Sequence, residues 1–164
     1  MVRCYVGLGS NLGDPVAMVR KALACLASQP DIALGEVSGL YLTPAWGYTE
    51  QPDFVNAVCS LDTQVTPGDL LLRLKLIETE LGRRTRFRWG PREIDLDILL
   101  YGDRILDEAG LRIPHPMLHR RAFVLIPLAE IAPHLIHPQT GYKMSEHLEA
   151  ISDRGLIECR NLDI

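Results

Sequence analysis

The sequence lacks the features that mark several large classes of protein. Its four cysteines form no C-x-x-C pair and no cysteine–histidine spacing typical of zinc sites, so we expect reduced thiols in a cytoplasmic protein. No signal peptide is evident, because the N-terminus enters a strand-like run at once. No apolar run approaches the length that crosses a bilayer, so no membrane partner is expected.

An excess of positive charge is missing as well. The chain carries 17 Lys and Arg residues against 21 Asp and Glu, a formal net charge of −4. This balance argues against a nucleic-acid partner for the protein as a whole. Repeats, low-complexity tracts and interdomain linkers are also absent. With 164 residues, 47% of them hydrophobic, the chain can form a real core, and we expect one monomeric domain over residues 1–164.

Apolar periodicity and turn residues predict alternating strands and helices. Asp14-Pro15 and Thr66-Pro67 are typical helix starts, since each places a side-chain acceptor before a proline. Gly102-Asp103 predicts a tight hairpin turn into a short strand at Ile105-Leu106. The predicted strands are 2–8, 32–41, 54–63 and 94–101, with a terminal strand near 156–159; the predicted helices are 15–28, 67–81 and 121–131, with a short one near 144–151.

The order of the first elements is β-α-β-β-α-β. That order matches the ferredoxin-like split βαβ arrangement, an α+β fold whose mainly antiparallel sheet carries helices on one face. The C-terminal helices could cover the other face. We therefore predict a three-layer α-β-α arrangement.

The most informative candidate for a functional site is an aspartate pair, Asp95 and Asp97, in the run I-D-L-D-I-L-L. In a strand the two carboxylates share one face, about 6–7 Å apart, and repel each other. A solvated strand face is the alternative interpretation, but Asp is depleted in strands and the neighbours are aliphatic. Mg²⁺, whose usual ligands are carboxylates and substrate phosphates, would relieve the repulsion. A D-x-D pair also occurs in nucleotidyl transferases.

An arginine-rich segment, residues 83–93, runs directly into this pair and is called the arginine loop below. Five of the 17 basic residues fall within it, together with two aromatic side chains, Phe87 and Trp89. Arginine binds phosphate oxygens in a bidentate manner, and the aromatic rings could stack on a base. A solvated or RNA-contacting loop is the alternative. The adjacent aspartates favour a metal-bound nucleotide.

Other candidate residues keep two interpretations on sequence alone. Glu78 and Lys75 have the spacing of a solvent-facing i,i+3 pair, which is the favoured interpretation, but Glu78 also follows Ile77 near the apolar side of its helix and could point partly inward. His115 lies between two prolines and, with Arg121 at a predicted helix start, is either structural or a second phosphate contact. His134-x-x-His137 is flanked by prolines and is interpreted as loop-capping histidines. The glycines at 7–13 match neither the dinucleotide nor the Walker spacing.

The motifs in this order resemble 6-hydroxymethyl-7,8-dihydropterin pyrophosphokinases, a family of folate biosynthesis. The resemblance covers most of the chain: G-L-G-S-N-L-G-D at 7–14, Y-x-T-P at 41–44, Q-P-D-F-x-N at 51–56, R-W-G-P-R-x-I-D-L-D-I-L-L at 88–100 and I-P-H-P-x-x-x-x-R at 113–121. It implies a three-layer α-β-α fold. It also implies transfer of pyrophosphate from MgATP to the pterin hydroxymethyl group, with release of AMP.

The resemblance further implies a role for each matching residue. Asp95 and Asp97 would hold two Mg²⁺ ions, with Arg92 and Arg83 also expected to be catalytic. The nucleotide would contact Glu78, Arg83, Trp89, Arg92, Ile98, His115 and Arg121, and the pterin would contact Thr43, Pro44, Phe54, Asn56, Trp89 and Phe123. The loops at 43–53 and 83–93 would close over both substrates.

The chain departs from the family pattern in three places. Phe54 stands where Tyr is frequent, which keeps a stacking ring and loses a hydroxyl. The arginine loop is about one residue short, so Arg84 and Arg86 receive no role. Gly110 and Arg112 stand where other nucleotide contacts are expected and also receive none.

Two rival functions use the same residues. An RNA-binding module would need an aromatic pair on adjacent central strands and an excess of basic residues, and the sequence has neither. A nucleotidyl transferase would use the aspartate pair for attack at the α-phosphorus of ATP. The products separate it from a pyrophosphokinase, since it releases pyrophosphate instead of AMP.

Overall fold

The computed structural model describes residues 1–45, 47–151 and 159–163. Its strands are β1 (Val2–Ser10), β2 (Ile32–Val37), β3 (Tyr41–Thr43), β4 (Phe54–Thr63), β5 (Asp95–Tyr101), β6 (Leu106–Glu108), β7 (Leu111–Ile113) and β8 (Arg160–Asn161). Its helices are α1 (Pro15–Ala27), α2 (Pro67–Glu80), α3 (Ala122–Ile131) and α4 (Met144–Glu149), with a 3₁₀ turn at Leu118–Arg120. Among the described residues, no helix is both long and apolar enough to cross a membrane.

The main sheet is antiparallel, in the order β5-β1-β4-β3-β8, with β2 also paired to β4. The predicted ferredoxin-like fold with a mainly antiparallel sheet is confirmed, although the order of the first elements is β-α-β-β-β-α-β, with one strand more than predicted. Both helix starts are confirmed as well. The Asp14 carboxylate accepts the N–H of Ala17, and the Thr66 hydroxyl accepts the N–H of Asp69.

Two apolar cores lie on opposite faces of the sheet. On β1, Cys4, Val6 and Leu8 face α1 and α2, while Tyr5 faces α3 and α4. This separation follows from the two-residue period of strand side chains. The three predicted layers are therefore present, and α3 is held against the sheet face that also carries Asp95 and Asp97.

The predicted single strand over 32–41 is wrong, because the structure divides it into β2 and β3. The Ser38 hydroxyl accepts the N–H of Val58, and the Ser60 hydroxyl accepts the N–H of Glu36. These side chains replace backbone partners where the pairing register shifts between Leu34 and Val37. The chain thus pairs first with the end of β4 and then with its beginning.

The predicted tight turn at Gly102-Asp103 is present, since the Arg104 N–H donates to the Tyr101 carbonyl at 3.1 Å, but the predicted hairpin pairing of the next strand with β5 is wrong. The Gly102 N–H donates to the Arg3 carbonyl, and the chain turns away from β5. The following strand β6 pairs instead with β7 in a separate two-stranded sheet. The terminal strand expected near 156–159 falls mostly outside the described residues, and β8 pairs with β3 just beyond it.

Candidate active site

The aspartate pair lies on β5, opposite two glycines of the central strand β1. Asp95 is level with Gly9, and Asp97 with Gly7. A side chain on Gly9 would place its Cβ 2.8 Å from Asn56 Oδ1. Glycine at this position therefore leaves the space above the strand, beside Asp95, open. The two glycines were not among the residues predicted for the site. Their two-residue spacing within a strand, where glycine is disfavoured, was the available signal.

A single cleft on this face brings together most of the predicted site residues. It holds roughly 790 Å³ of empty space, its solvent-open part included. Its walls contain Thr43, Pro44, Phe54, Asn56, Trp89, Arg92, Asp95, Asp97, His115, Arg121 and Phe123. Ile98 does not line this cleft. It lines a neighbouring hollow with Gly110 and Arg112, and Asp97 and His115 belong to both spaces.

The two aspartates have opposite electrostatic surroundings. Burial disfavours the charged form of Asp95, but Arg92 and Arg83, each 2.8 Å from its carboxylate, hold its pKa below the usual value. Burial and the neighbouring Asp95 carboxylate raise the pKa of Asp97 to about 7. A divalent cation would oppose both effects on Asp97.

The donor set fits Mg²⁺ better than a metal held by protein alone. Within the described ranges, no group of three or more His, Cys, Asp or Glu side chains could hold a metal ion. Mg²⁺ commonly uses one or two carboxylates and completes its shell with water and substrate phosphates. Asp95 and Asp97 offer such a pair beside a cationic loop.

Glu78 is buried, contrary to the solvent-facing interpretation. Its predicted pair with Lys75 is present at 3.2 Å, yet Glu78 is only 3% exposed. Its carboxylate accepts the Leu96 N–H at 2.8 Å and an Arg83 N–H at 2.6 Å. Arg83 also donates to Asp95, so it bridges the two carboxylates. Glu78 and Arg83 therefore stand behind Asp95 and do not line the cleft walls.

The uncharged end of the cleft is made from strand and helix residues. Asn56 Nδ2 donates to Thr43 Oγ1 at 2.7 Å, and both side chains are buried. Phe54 and Phe123 line the same space. Phe123 also packs against the second core, and the Arg121 guanidinium lies 5.5 Å from its ring centre. A flat polar ring could thus stack and form hydrogen bonds here.

The loops at 43–53 and 83–93 are joined to each other by Gln51, which the sequence analysis did not single out. Gln51 Nε2 donates to the carbonyls of Tyr48 and Trp89, both at 2.6 Å. Its Oε1 accepts from Asn11 Nδ2 at 2.8 Å. The Trp89 ring lies over Gly47, where a Cβ would come within 2.8 Å. The two loops therefore form one connected rim.

His115 is held as a neutral hydrogen-bond donor. Its backbone N–H donates to the Leu99 carbonyl, and its ring Nδ1 accepts the backbone N–H of Met117 at 3.2 Å. Burial and the charge of Arg121 lower its pKa to about 4. In the neutral ring the proton therefore lies on Nε2, at the cleft.

Away from the cleft, His137 caps a loop as predicted, since its Nδ1 accepts the backbone N–H groups of Gln139 and Thr140. The sequence analysis missed that His119, His137 and His147 pack together with ring centres 5.4–5.5 Å apart. Burial and mutual repulsion lower the pKa of His137 to about 4.

Comparison with known proteins assigns this arrangement to a family. Residues 5–133 match the family of 7,8-dihydro-6-hydroxymethylpterin-pyrophosphokinase (HPPK). The chain belongs to the HPPK family. It is 44% identical to 2-amino-4-hydroxy-6-hydroxymethyldihydropteridine pyrophosphokinase of Aquifex aeolicus, over 84% of this chain and 85% of that protein. It is 46% identical to the enzyme of the same name from Pseudomonas aeruginosa, over 94% of each chain.

Solved structures of HPPK-DHPS proteins share the fold. One in complex with substrates aligns with a TM-score of 0.70 at 14% identity and covers 91% of this chain. Another, HPPK-DHPS of Plasmodium falciparum with pteroate, gives a TM-score of 0.69 at 15% identity. The chain spans only 43% and 42% of those two proteins, so this likeness concerns the HPPK fold alone.

Proposed function

We propose that this chain transfers the pyrophosphoryl group of ATP to the hydroxymethyl group of 6-hydroxymethyl-7,8-dihydropterin and releases AMP, a step of folate biosynthesis. The observation that carries the proposal is one cleft with two chemically different ends. One end has two carboxylates among arginines, and the other has a buried amide–hydroxyl pair between phenylalanines. Relatives with 44–46% identity that are named for this reaction support it.

The charged end binds and orients the triphosphate. Arg92, Arg121 and the Nε2–H of His115 supply donors at the cleft, and Arg83 supplies charge from behind Asp95. Asp95 and Asp97 would hold Mg²⁺, two ions in this proposal, which when bound neutralise phosphate oxygens and acidify the attacking hydroxyl. Phosphoryl-type transfer depends mainly on position and charge. We assign no protein side chain as general base.

The neutral end binds and orients the pterin. Thr43 and Asn56 read its amide edge, while Phe54 and Phe123 stack on its two faces. Trp89, tied through Gln51 to the loop at 43–53, closes the rim and excludes water from ATP. Pro44 gives that rim a stiff wall.

The neighbouring hollow receives the nucleoside part of ATP. Leu71, Ile98 and Leu111 give it apolar walls, and Arg112 adds a cation. Because Asp97 and His115 belong to both spaces, a triphosphate can run from this hollow to the pterin's hydroxymethyl group. Gly110 and Arg112 thereby acquire a place in the nucleotide site.

The test is incubation of the purified protein with ATP, Mg²⁺ and the pterin alcohol, with mass analysis of both products. Pterin diphosphate and AMP are expected. Free pyrophosphate with a nucleotide-linked pterin would instead identify a nucleotidyl transferase. A monomeric state and a cytoplasmic location belong to the same proposal. Sedimentation analysis of the purified protein and localisation in cells test them.

A further inference from the structure

The arginine loop contains a single carboxylate, that of Glu93, at its C-terminal end. Arg86 Nη1 donates to Glu93 Oε1 and, at 2.7 Å, to Oε2. The backbone N–H of Arg84 donates to the same carboxylate at 3.3 Å. The Glu93 side chain is 16% exposed and that of Arg86 33%, so both charges are partly withdrawn from water. Arg84 and Arg86 are thus bonded to the C-terminal end of the same loop.

The C-terminal end of the arginine loop is in turn hydrogen-bonded to the end of the central strand β1. Ser10 Oγ donates to the Glu93 carbonyl at 2.5 Å. Asn11 exchanges two hydrogen bonds with Arg92: its Oδ1 accepts the Arg92 N–H at 2.8 Å, and its own N–H donates to the Arg92 carbonyl at 3.1 Å. The Glu93 carboxylate therefore extends from a backbone segment that three hydrogen bonds attach to Ser10 and Asn11.

We infer that Glu93 is a positioning residue that closes the arginine loop on itself, so that Arg83 and Arg92 stay at Asp95 in the orientation needed for a triphosphate. The inference rests on the proposed function. Five arginines in one loop repel each other, and the Glu93 carboxylate offsets this repulsion by pairing with the Arg86 guanidinium while it also accepts the backbone N–H of Arg84. With Arg86 paired to Glu93, Arg83 and Arg92 are the ion-pair partners of Asp95 among the described residues.

The inference is tested with Glu93→Gln, Arg86→Gln and the double variant. Each single change should lower kcat/KM for ATP about tenfold, since an open loop must be ordered on binding, while KM for the pterin alcohol stays within about twofold. The double variant should be no worse than either single one. The control is the Arg3–Asp62 pair, with contacts of 2.7 and 2.8 Å at the far end of β1, changed to Arg3→Gln and Asp62→Asn.

Amide hydrogen exchange over residues 84–90 in the ligand-free protein measures directly whether the arginine loop is closed. It should be faster in Glu93→Gln than in the wild type and unchanged in Asp62→Asn. Additive losses in the double variant, equal rises of both KM values, or unchanged exchange would overturn the inference. Failure of the proposed function would give a different result, because the wild type itself would make no pterin diphosphate. The hydrogen-exchange result would still decide whether Glu93 closes the loop.

Discussion

The two ends of the cleft are built in different ways. At the neutral end, Thr43 lies on β3, Asn56 on β4 and Phe123 on α3, so regular structure fixes each of them. At the charged end, Arg83, Arg86 and Arg92 lie on the arginine loop and are held by carboxylates: Arg83 by Glu78 and Asp95, Arg86 by Glu93, and Arg92 by Asp95. The neutral end thus exists before any substrate arrives.

The difference follows from what each end must do. A flat neutral ring gains most from a rigid slot, because the slot loses little entropy on binding. The charged end brings like-charged arginines together, so carboxylate partners are needed in the free protein to offset their repulsion. Asp95 is paired there on both oxygens, with Arg83 on one and Arg92 on the other.

The largest effect is expected from Asp97→Asn at the charged end. Turnover should fall by about a hundredfold or more, since a preorganised charge at the reacting phosphate is removed. Stability of the metal-free protein at neutral pH should rise slightly, because the substitution relieves repulsion with Asp95. Steady-state kinetics and thermal unfolding without Mg²⁺ measure the two effects.

The control for that variant is Asp62→Asn, an exposed carboxylate bonded to Arg3 away from the cleft. It should leave turnover unchanged. Near-normal activity of Asp97→Asn, or of Asp95→Ala, at ordinary Mg²⁺ would remove the metal site from the charged end.

Next in size is Arg92→Ala. A lost charge-assisted phosphate contact costs about 1.5–3 kcal/mol, which corresponds to roughly ten- to more than hundredfold in kcat/KM. The fall in kcat/KM should be larger when the ATP concentration is varied than when the pterin concentration is varied. Arg20→Ala, on the exposed side of α1, is the control. If Arg92→Ala and Arg20→Ala changed kcat/KM equally, Arg92 would be a solvated charge without a phosphate contact. The difference between the charged and the neutral end of the cleft would then lose its support.

At the neutral end, Phe123→Ala should weaken pterin binding by about 1–3 kcal/mol, by analogy with base stacking on aromatic side chains. Binding of an ATP analogue should change little. Calorimetry with each ligand separates the two ends. Because Phe123 also packs against the second core, some loss of stability is expected.

Ile131→Ala is the matched control for that loss, since Ile131 packs against the same core without lining the cleft. It should lower stability without a selective loss of pterin affinity. A Phe123→Ala variant that is destabilised but binds pterin normally would show that the residue serves the core alone.

The smallest effect concerns the histidines behind α3. Because the pKa of His137 is lowered to about 4 in the fold from an ordinary 6.5, the unfolded chain binds more protons between these values. Stability contributed by neutral His137 is therefore present above about pH 6.5 and is lost as the pH falls towards 4. His137→Asn should flatten this decline by up to about 1.4 kcal/mol per pH unit.

Chemical denaturation at a series of pH values between 4 and 7 measures that slope. His134→Asn, an exposed histidine of the same loop, is the control and should follow the wild-type curve. An unchanged slope in His137→Asn would show that His137 does not couple folding to proton binding.

Local chemistry was sufficient to predict much of the fold. The helix starts at Asp14-Pro15 and Thr66-Pro67 depend on side chains three residues from their partners, and both form. The shared face of Asp95 and Asp97 follows from strand geometry alone. The error at 32–41 arose where hydroxyl groups of distant residues replaced backbone partners, and the error after Gly102 arose because β6 pairs with the later strand β7 instead of β5.

The sequence by itself determined the fold class, the cationic loop beside an acidic pair, and the motifs that mark the HPPK family. Only the tertiary structure decided which charges are buried and which partners they take. Gln51 reaches Asn11 and Trp89, and Glu78 reaches β5, across long separations in the chain. Sequence periodicity describes one element at a time, whereas such contacts depend on how elements pack against each other.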